Sequence, residues 1–282
     1  MSCALHKATA LVCALVLLPE TLAACTGTEG DLLRTRPETS DPGDPATPRP
    51  RPNSLSSWQI QLSGSLDTTL DVELYTADLE TPVAAIQALH QAKRIVICYF
   101  SAGTREPFRD DAALFPASSV GAPLVDYPNE RWLDIRDATV RSIMRERVAR
   151  AAEIGCDGLH PSGLGAFQED TELDLSRADQ LAYNRWLASE AHGLGLSIGL
   201  VEGDTEARQE LVADFDWTVV WSCVESGCLA AAPFLTAAKP AFVIEYGDAA
   251  RAAELCPRAQ ELGLSAVIKR NADLDAYRAG CP

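Results

Sequence analysis

The sequence predicts an α/β chain folded as a (β/α)8 TIM barrel with an N-terminal strand or plug in front of it. Three observations carry this. A strand-then-helix rhythm repeats from about residue 71 to the end. Several strands are unbroken apolar runs, such as Ile95-Val96-Ile97 and Phe242-Val243-Ile244, the pattern of strands buried on both faces. About 225 residues remain from Trp58 onward, which suits one large domain and is too short for two with linkers.

Trp58-Gln59-Ile60-Gln61-Leu62 reads as the extra strand or plug. The first barrel strand is Asp71–Asp78, followed by an amphipathic helix over Val83–Gln91. Arg94–Phe100 and Arg131–Ile135 are the next strands, with a helix over Val140–Ile154. Asp157–Pro161 precedes a helix over Arg177–Gly193, which Ser176 and Asp179 open with a capping signature and Gly193 stops. Leu196–Val201, the helix Thr205–Val212, Trp217–Ser222, Ala241–Tyr246, the helix Ala249–Leu262 and Ser265–Arg270 complete eight strands. An open doubly wound sheet is the competing architecture, but no Gly-x-Gly-x-x-Gly turn follows the first strand.

The ends set the expected address. Lys7 and the 11-residue apolar run Ala8–Leu18 read as a signal-peptide core, too short to span a bilayer of about 30 Å. Leu22-Ala23-Ala24-Cys25 follows, a lipoprotein cleavage pattern, with residues 1–24 as the signal and Cys25 as the lipidated residue. Thr26, not Asp, follows the cysteine, so in a two-membrane cell the expected destination is the outer membrane. Residues 25–56 make a Pro-rich tether with almost no apolar side chains, unable to offset its chain entropy by burial. Residues 57–282 form the folded domain.

A net charge of −16 argues against nucleic acid and against anionic lipid as partners, since phosphate would repel such a surface. It suits a cationic ligand, though a solvated acidic surface is the commoner explanation. Six of nine cysteines lie beyond Cys25, an even count that suggests disulfides in an exported chain. Cys223 and Cys228 bracket a short turn, and Cys256 with Cys281 could staple the C-terminal tail; Cys98 and Cys156 lie inside apolar strands, where plain buried thiols also fit. Without a Cys-x-x-Cys pair and with four scattered histidines, no metal is expected, and no cofactor signature is present.

Barrel chemistry sits at the C-terminal strand ends. Those ends offer Asp78, Tyr99 with Ser101, Asp134 with Arg136, His160 with Ser162, Glu202, Ser222, Glu245, and Lys269 with Arg270. Carboxylates end at least four strands, although Asp134 and Arg136 also read as a mutual pair, and Glu202 as a cap of the next helix.

These ends sit within strings that resemble the endo-α-1,4-polygalactosaminidase family of glycoside hydrolases. The strings include Trp58-Gln59-Ile60-Gln61-Leu62-Ser63-Gly64, Ile97-Cys98-Tyr99-Phe100-Ser101-Ala102-Gly103-Thr104-Arg105-Glu106, Glu130-Arg131-Trp132-Leu133-Asp134-Ile135-Arg136 and Ile244-Glu245-Tyr246. The resemblance runs in order through the folded domain and implies a barrel acting on, or descended from enzymes acting on, α-1,4-linked galactosamine polymers. Three site strings depart from it. After Asp157-Gly158 the family carries Pro-Asp-Asn-x-Asp where this chain has Pro161-Ser162-Gly163-Leu164-Gly165. Val201-Glu202 replaces Lys-Asn, and Trp221 stands where the family has a glutamate.

Glycoside hydrolysis normally uses two carboxyl groups. The family's natural pair maps onto Ser162 and Trp221, which cannot exchange a proton at neutral pH. The expectation is a barrel that binds a polysaccharide or oligosaccharide, a cationic amino sugar among the candidates, with catalysis lost or strongly reduced. Tyr99, Asp134, Arg136, Glu202, Trp221 and His160 are its expected binding residues. The alternative is a glycosidase with a relocated pair drawn from Glu245 and Asp78. A structural or partner-binding surface lipoprotein is the third reading. The membrane is expected to be met through the lipid anchor alone, and the chain to be a monomer.

Overall fold

A computed structural model describes residues 50–281. The expected signal peptide, Cys25 and most of the tether lie outside the described residues.

The chain order is β1 (Trp58–Gln61), β2 (Leu74–Asp78), α1 (Val83–Gln91), β3 (Ile95–Ser101), β4 (Thr104–Arg105), β5 (Val120–Pro123), β6 (Arg131–Leu133), α2 (Ala138–Ile154), β7 (Gly158–Ser162), α3 (Arg177–Gly193), β8 (Ser197–Leu200), α4 (Thr205–Leu211), β9 (Trp217–Trp221), α5 (Ala232–Thr236), β10 (Ala241–Tyr246), α6 (Ala249–Glu261), β11 (Ser265–Lys269) and β12 (Ala279–Gly280). Strands β1-β2-β3-β7-β8-β9-β10-β11 pair in parallel in that order, and β12 adds antiparallel to β11. The result is the expected barrel, closed except for one seam.

At that seam, between β11 and β1, side chains stand in for a peptide ladder. Trp58 Nε1 donates to Ser265 O at 3.1 Å. The carbonyls of Trp58 and Ile60 accept from Arg278 Nε at 2.8 Å and Lys269 Nζ at 2.9 Å. Burial lowers the Lys269 ammonium to about 8, while three oxygens, on Gln59, Ile60 and Asp275, accept its hydrogen bonds.

Two sequence expectations exchange places. Trp58–Gln61 is a barrel strand rather than a plug, because Trp58 and Ile60 enter the barrel interior with Leu74, Ile97, Trp217, Phe242 and Val267. Arg131–Ile135, expected in the barrel, instead gives β6 of a separate sheet ordered β4-β6-β5. The side chains of Arg131 and Trp132 are only half-buried, whereas a barrel strand is covered on both faces.

Alternation along each strand divides the core in two. Inward residues fill the barrel, and Gly199 leaves room for the Trp217 ring, since a Cβ there would meet ring carbon Cζ3 at 2.2 Å. Outward residues such as Val96, Leu159 and Ile198 pack under the helices. The capping expected for α3 is present in full, with Ser176 accepting from Asp179 N and Asp179 returning the bond. Asp137 caps α2 through Thr139 N and Val140 N. Disulfides join Cys223 to Cys228, Cys256 to Cys281 and Cys98 to Cys156, so Cys98 in β3 is bonded to Cys156, which lies just before β7.

Candidate functional site

The C-terminal strand ends open into a cavity of about 520 Å³, well within the roughly 300–1,000 Å³ of ordinary ligand sites. Asp78, Tyr99, His160, Ser162, Glu202 and Trp221, all named from the sequence, line it together. No lysine or arginine does so among the described residues.

Its acidic wall is tied to the scaffold through one arginine. Arg109, its side chain 1% exposed, donates to both oxygens of Asp78 (2.9 and 3.2 Å) and to both of Glu106, one at 3.1 Å. Arg147 approaches the same Glu106 at 3.6 Å and binds Asp111 at 2.7 Å. Glu130 is held differently, accepting from the Thr104 hydroxyl at 2.8 Å. Burial, with Glu106 nearby, pushes the Glu130 carboxyl above its ordinary range. The Glu202 carboxyl is likewise raised by burial and accepts hydrogen bonds from the N–H groups of Gly163 and Leu164.

The floor is aromatic. His160 is 0% exposed, with Tyr99, Trp217 and Trp221 arranged edge-on around it at 5.6, 5.9 and 6.3 Å between ring centres. Neither ring nitrogen finds a partner among the described residues, and burial lowers its pKa to about 3, so the ring is neutral. Tyr99 Oη lies 3.0 Å from Ser162 Oγ. Burial first, then the neighbouring carboxylates, raises the phenol pKa.

Ser162 owes its position to two glycines. The Ser162 carbonyl accepts from Ala102 N and Gly103 N, and a Cβ on Gly103 would meet Gly163 O at 1.9 Å. The loop after β7 therefore lies directly on the loop after β3.

Glu245 is not brought to the cavity. It falls in the outward set of β10 with Val243, while Tyr246, one residue on, lines the mouth. Its carboxylate accepts from Cys223 N and Val224 N, both at 2.8 Å, and so holds the disulfide turn. Asp134 and Arg136 also lie outside the lining; they bond each other at 2.9 Å, and Arg136 holds the carbonyls of Leu173 and Asp174. The guanidinium keeps the Asp134 carboxyl below its usual range.

Reading strand ends missed the contribution of the side sheet and its flanking loops: Glu106, Phe108, Tyr127, Glu130 and Trp132. Glu106, Glu130 and Trp132 sit inside two of the resemblance strings, which are the signal for them. Phe108 and Tyr127 form an aromatic rim, 66% and 51% exposed. Trp221 is half-buried, packing against the barrel interior on one side and lining the cavity on the other.

Comparison with known proteins agrees with this geometry. A family model described as glycoside-hydrolase family GH114 matches residues 37–282. The crystal structure of Aspergillus fumigatus Ega3 in complex with galactosamine is similar at 35% identity and a TM-score of 0.78, over 83% of this chain and 98% of that one. The glycoside hydrolase domain of PelA from Pseudomonas aeruginosa shares the fold, at 17% identity and a TM-score of 0.65, over 79% of this chain and 98% of that domain. An uncharacterized protein of Deinococcus radiodurans is 25% identical over 206 residues, a match spanning 64% of each chain.

Proposed function

The chain belongs to glycoside-hydrolase family GH114, and we infer that its cleft binds a galactosamine-containing polysaccharide with hydrolysis lost or strongly reduced. One observation carries the reading. Ser162 and Trp221, which stand at the positions of the family's expected carboxyl pair, both line the cleft, so the strand ends that would hold the acid and the base carry a hydroxyl and an indole. Loss of a general acid or base costs roughly 10²–10⁴-fold in rate.

The ligand class follows from charge and shape. Asp78, Glu106, Glu130, Glu202 and Asp273 line the cavity, the first two paired with Arg109 behind the wall, and no lysine or arginine lines it among the described residues, which favours the ammonium of a deacetylated amino sugar. Trp221, Tyr127 and Phe108 supply flat apolar faces for sugar rings. The galactosamine bound by Ega3, the similar protein at 35% identity, supports the same choice.

Glu245 is a weak candidate for a relocated catalytic pair, since its carboxylate is occupied by two backbone N–H groups outside the cleft. Any retained hydrolysis would draw on Asp78, Glu130 or Glu202. The apolar run before Cys25, together with three disulfides, supports export and a lipid anchor at Cys25, the tether carrying a monomeric barrel at the cell envelope.

The test is a pair of measurements on the full chain with α-1,4-linked galactosamine oligomers. Calorimetric binding without new reducing ends over a long incubation is the expected result. New ends that disappear in Glu202→Gln or Glu130→Gln overturn the loss of catalysis, and absence of binding overturns the ligand.

A further inference from the structure

Residues 271–281 run as one strap across three parts of the molecule. Ala272, Asp273 and Leu274 line the central cavity. The carbonyls of Leu274, Asp275 and Ala276 accept from Leu62 N, Lys269 Nζ and Gln59 Nε2 at 2.9, 2.6 and 3.1 Å. Arg278 Nε donates to Trp58 O, and β12 pairs with the edge of β11. Cys281 then closes the strap onto α6 through its disulfide to Cys256. One wall of the cleft and this disulfide are therefore the two ends of the same short segment.

The three disulfides differ in access. Cys98 and Cys156 are both 0% exposed. Cys223 and Cys228 are 7% and 3% exposed, and the carboxylate of Glu245 holds their turn as well. Cys281 is only partly buried. Beside it, a groove of about 400 Å³ between α6 and β12 is lined by Cys256 itself, with Ala252, Ala253 and Gly280 among its small neighbours. Exchange requires a thiolate to reach a sulfur, so access places Cys256–Cys281 ahead of the other two bonds. The remaining grip on the end of the strap is slight, because β12 is two residues long and pairs with β11 at two positions. A chain end without a covalent tie frays.

We propose that Cys256–Cys281 is a thiol-exchange site, at which a dithiol reductant releases the strap and loosens the wall of the cleft. One thiolate of the reductant attacks Cys281 Sγ, the more exposed sulfur. A mixed disulfide forms, and Cys256 leaves as a thiolate that takes up a proton. The second thiolate of the reductant then attacks the mixed disulfide and expels Cys281, and the reductant departs as its own internal disulfide. Two electrons have passed to the protein, whose two sulfurs end as thiols. In the reduced chain the strap opens locally, and Ala272, Asp273 and Leu274 leave the cavity wall with it. The inference stands on the strap alone and does not depend on which ligand the cleft holds.

The test uses the full chain, folded and without denaturant, titrated with dithiothreitol. Freed thiols are alkylated, and the labelled peptides are identified by mass spectrometry. Cys256 and Cys281 are expected to take label at about tenfold less reductant than Cys98, Cys156, Cys223 or Cys228 require. Hydrogen exchange on the same samples should show the amides of residues 272–281 exchanging at least about tenfold faster once that pair is reduced, with β3 and β7 still protected. The Cys256→Ser/Cys281→Ser variant should show the same faster exchange without reductant. Labelling of Cys223 or Cys228 at or before Cys281 overturns the assignment of the site. Unchanged exchange in residues 272–281 of wild type with that pair reduced overturns the release of the strap.

Discussion

Tyr99 Oη lies 3.0 Å from Ser162 Oγ at the floor of the cleft, and its phenol is held protonated by burial and by the neighbouring carboxylates. A protonated phenol is a hydrogen-bond donor, so a carboxylate at position 162 would find a ready partner. Ser162→Asp together with Trp221→Glu would bring two carboxyl groups to the cleft on strands β7 and β9. The double variant is expected to release reducing ends from α-1,4-galactosamine oligomers at least about 100-fold faster than wild type, and each single variant close to the wild-type rate. A double variant as inert as wild type means that the missing pair is not what silences the barrel.

Binding should weaken on acidification earlier than ordinary carboxylates would dictate. The carboxyl groups of Glu130 and Glu202 are raised by burial above 4.5, so each loses its negative charge at a higher pH than an exposed glutamate. Calorimetry from pH 7 downward to about 4.5 is expected to show falling affinity for deacetylated oligomers. The Glu130→Gln/Glu202→Gln variant should start weaker and show a flatter profile. A profile of the same steepness in that variant assigns the dependence to other groups.

His160 predicts an acid limb in the stability of the fold. Its pKa drops from the ordinary 6.5 to about 3 on folding, so between those values the unfolded chain binds the extra proton and stability rises with pH. The contribution is complete above about pH 6.5 and is lost as pH falls, at about 1.4 kcal/mol per unit. Urea titrations at several pH values should give this slope for wild type and a shallower one for His160→Phe, which suits the surrounding aromatic cage. Equal slopes would mean that the ring gains a proton and a partner in the folded state.

Arg109 should matter to stability more than its single side chain suggests. Removing it leaves Glu106, 3% exposed at its side chain, with only Arg147 at 3.6 Å for charge compensation. Arg109→Met is expected to destabilise by about 3–5 kcal/mol, and Glu106→Gln in the same chain to restore part of that loss. Additive losses from the two substitutions in a double-mutant cycle would show that the ion pair is not coupled.

Much of the architecture was legible because periodicity and apolar runs report on local burial. The helices over Val83–Gln91 and Arg177–Gly193 have the expected limits, and seven expected strands, from Asp71–Asp78 to Ser265–Arg270, correspond to barrel strands. The exchange between Trp58–Gln61 and Arg131–Leu133 was not legible: both are short stretches containing a tryptophan, and only the closing of the sheet decides which is covered on two sides. The site divides in the same way. Asp78, Tyr99, His160, Glu202 and Trp221 could be found from strand ends, since the rule needs only where a strand stops. Glu245 also ends a strand, yet one position of parity turns it toward the Cys223–Cys228 turn. Glu106 and Glu130 enter from segments outside the barrel sheet, whose approach to the mouth is a matter of tertiary packing and leaves no periodic trace.

The side-chain stitching between β11 and β1 has a consequence for how the chain reaches its native state. Trp58 and Ser265 are 207 positions apart, and Lys269 and Arg278 take up the outer carbonyls of the first strand from equally far away. Contacts of such separation carry the largest loop-closure cost and form late. Until residues 265–280 are in place, β1 presents an uncovered edge with apolar side chains beside it, the arrangement most prone to pairing with another molecule. The vulnerable interval in the life of this protein is therefore the time between its first strand and its last.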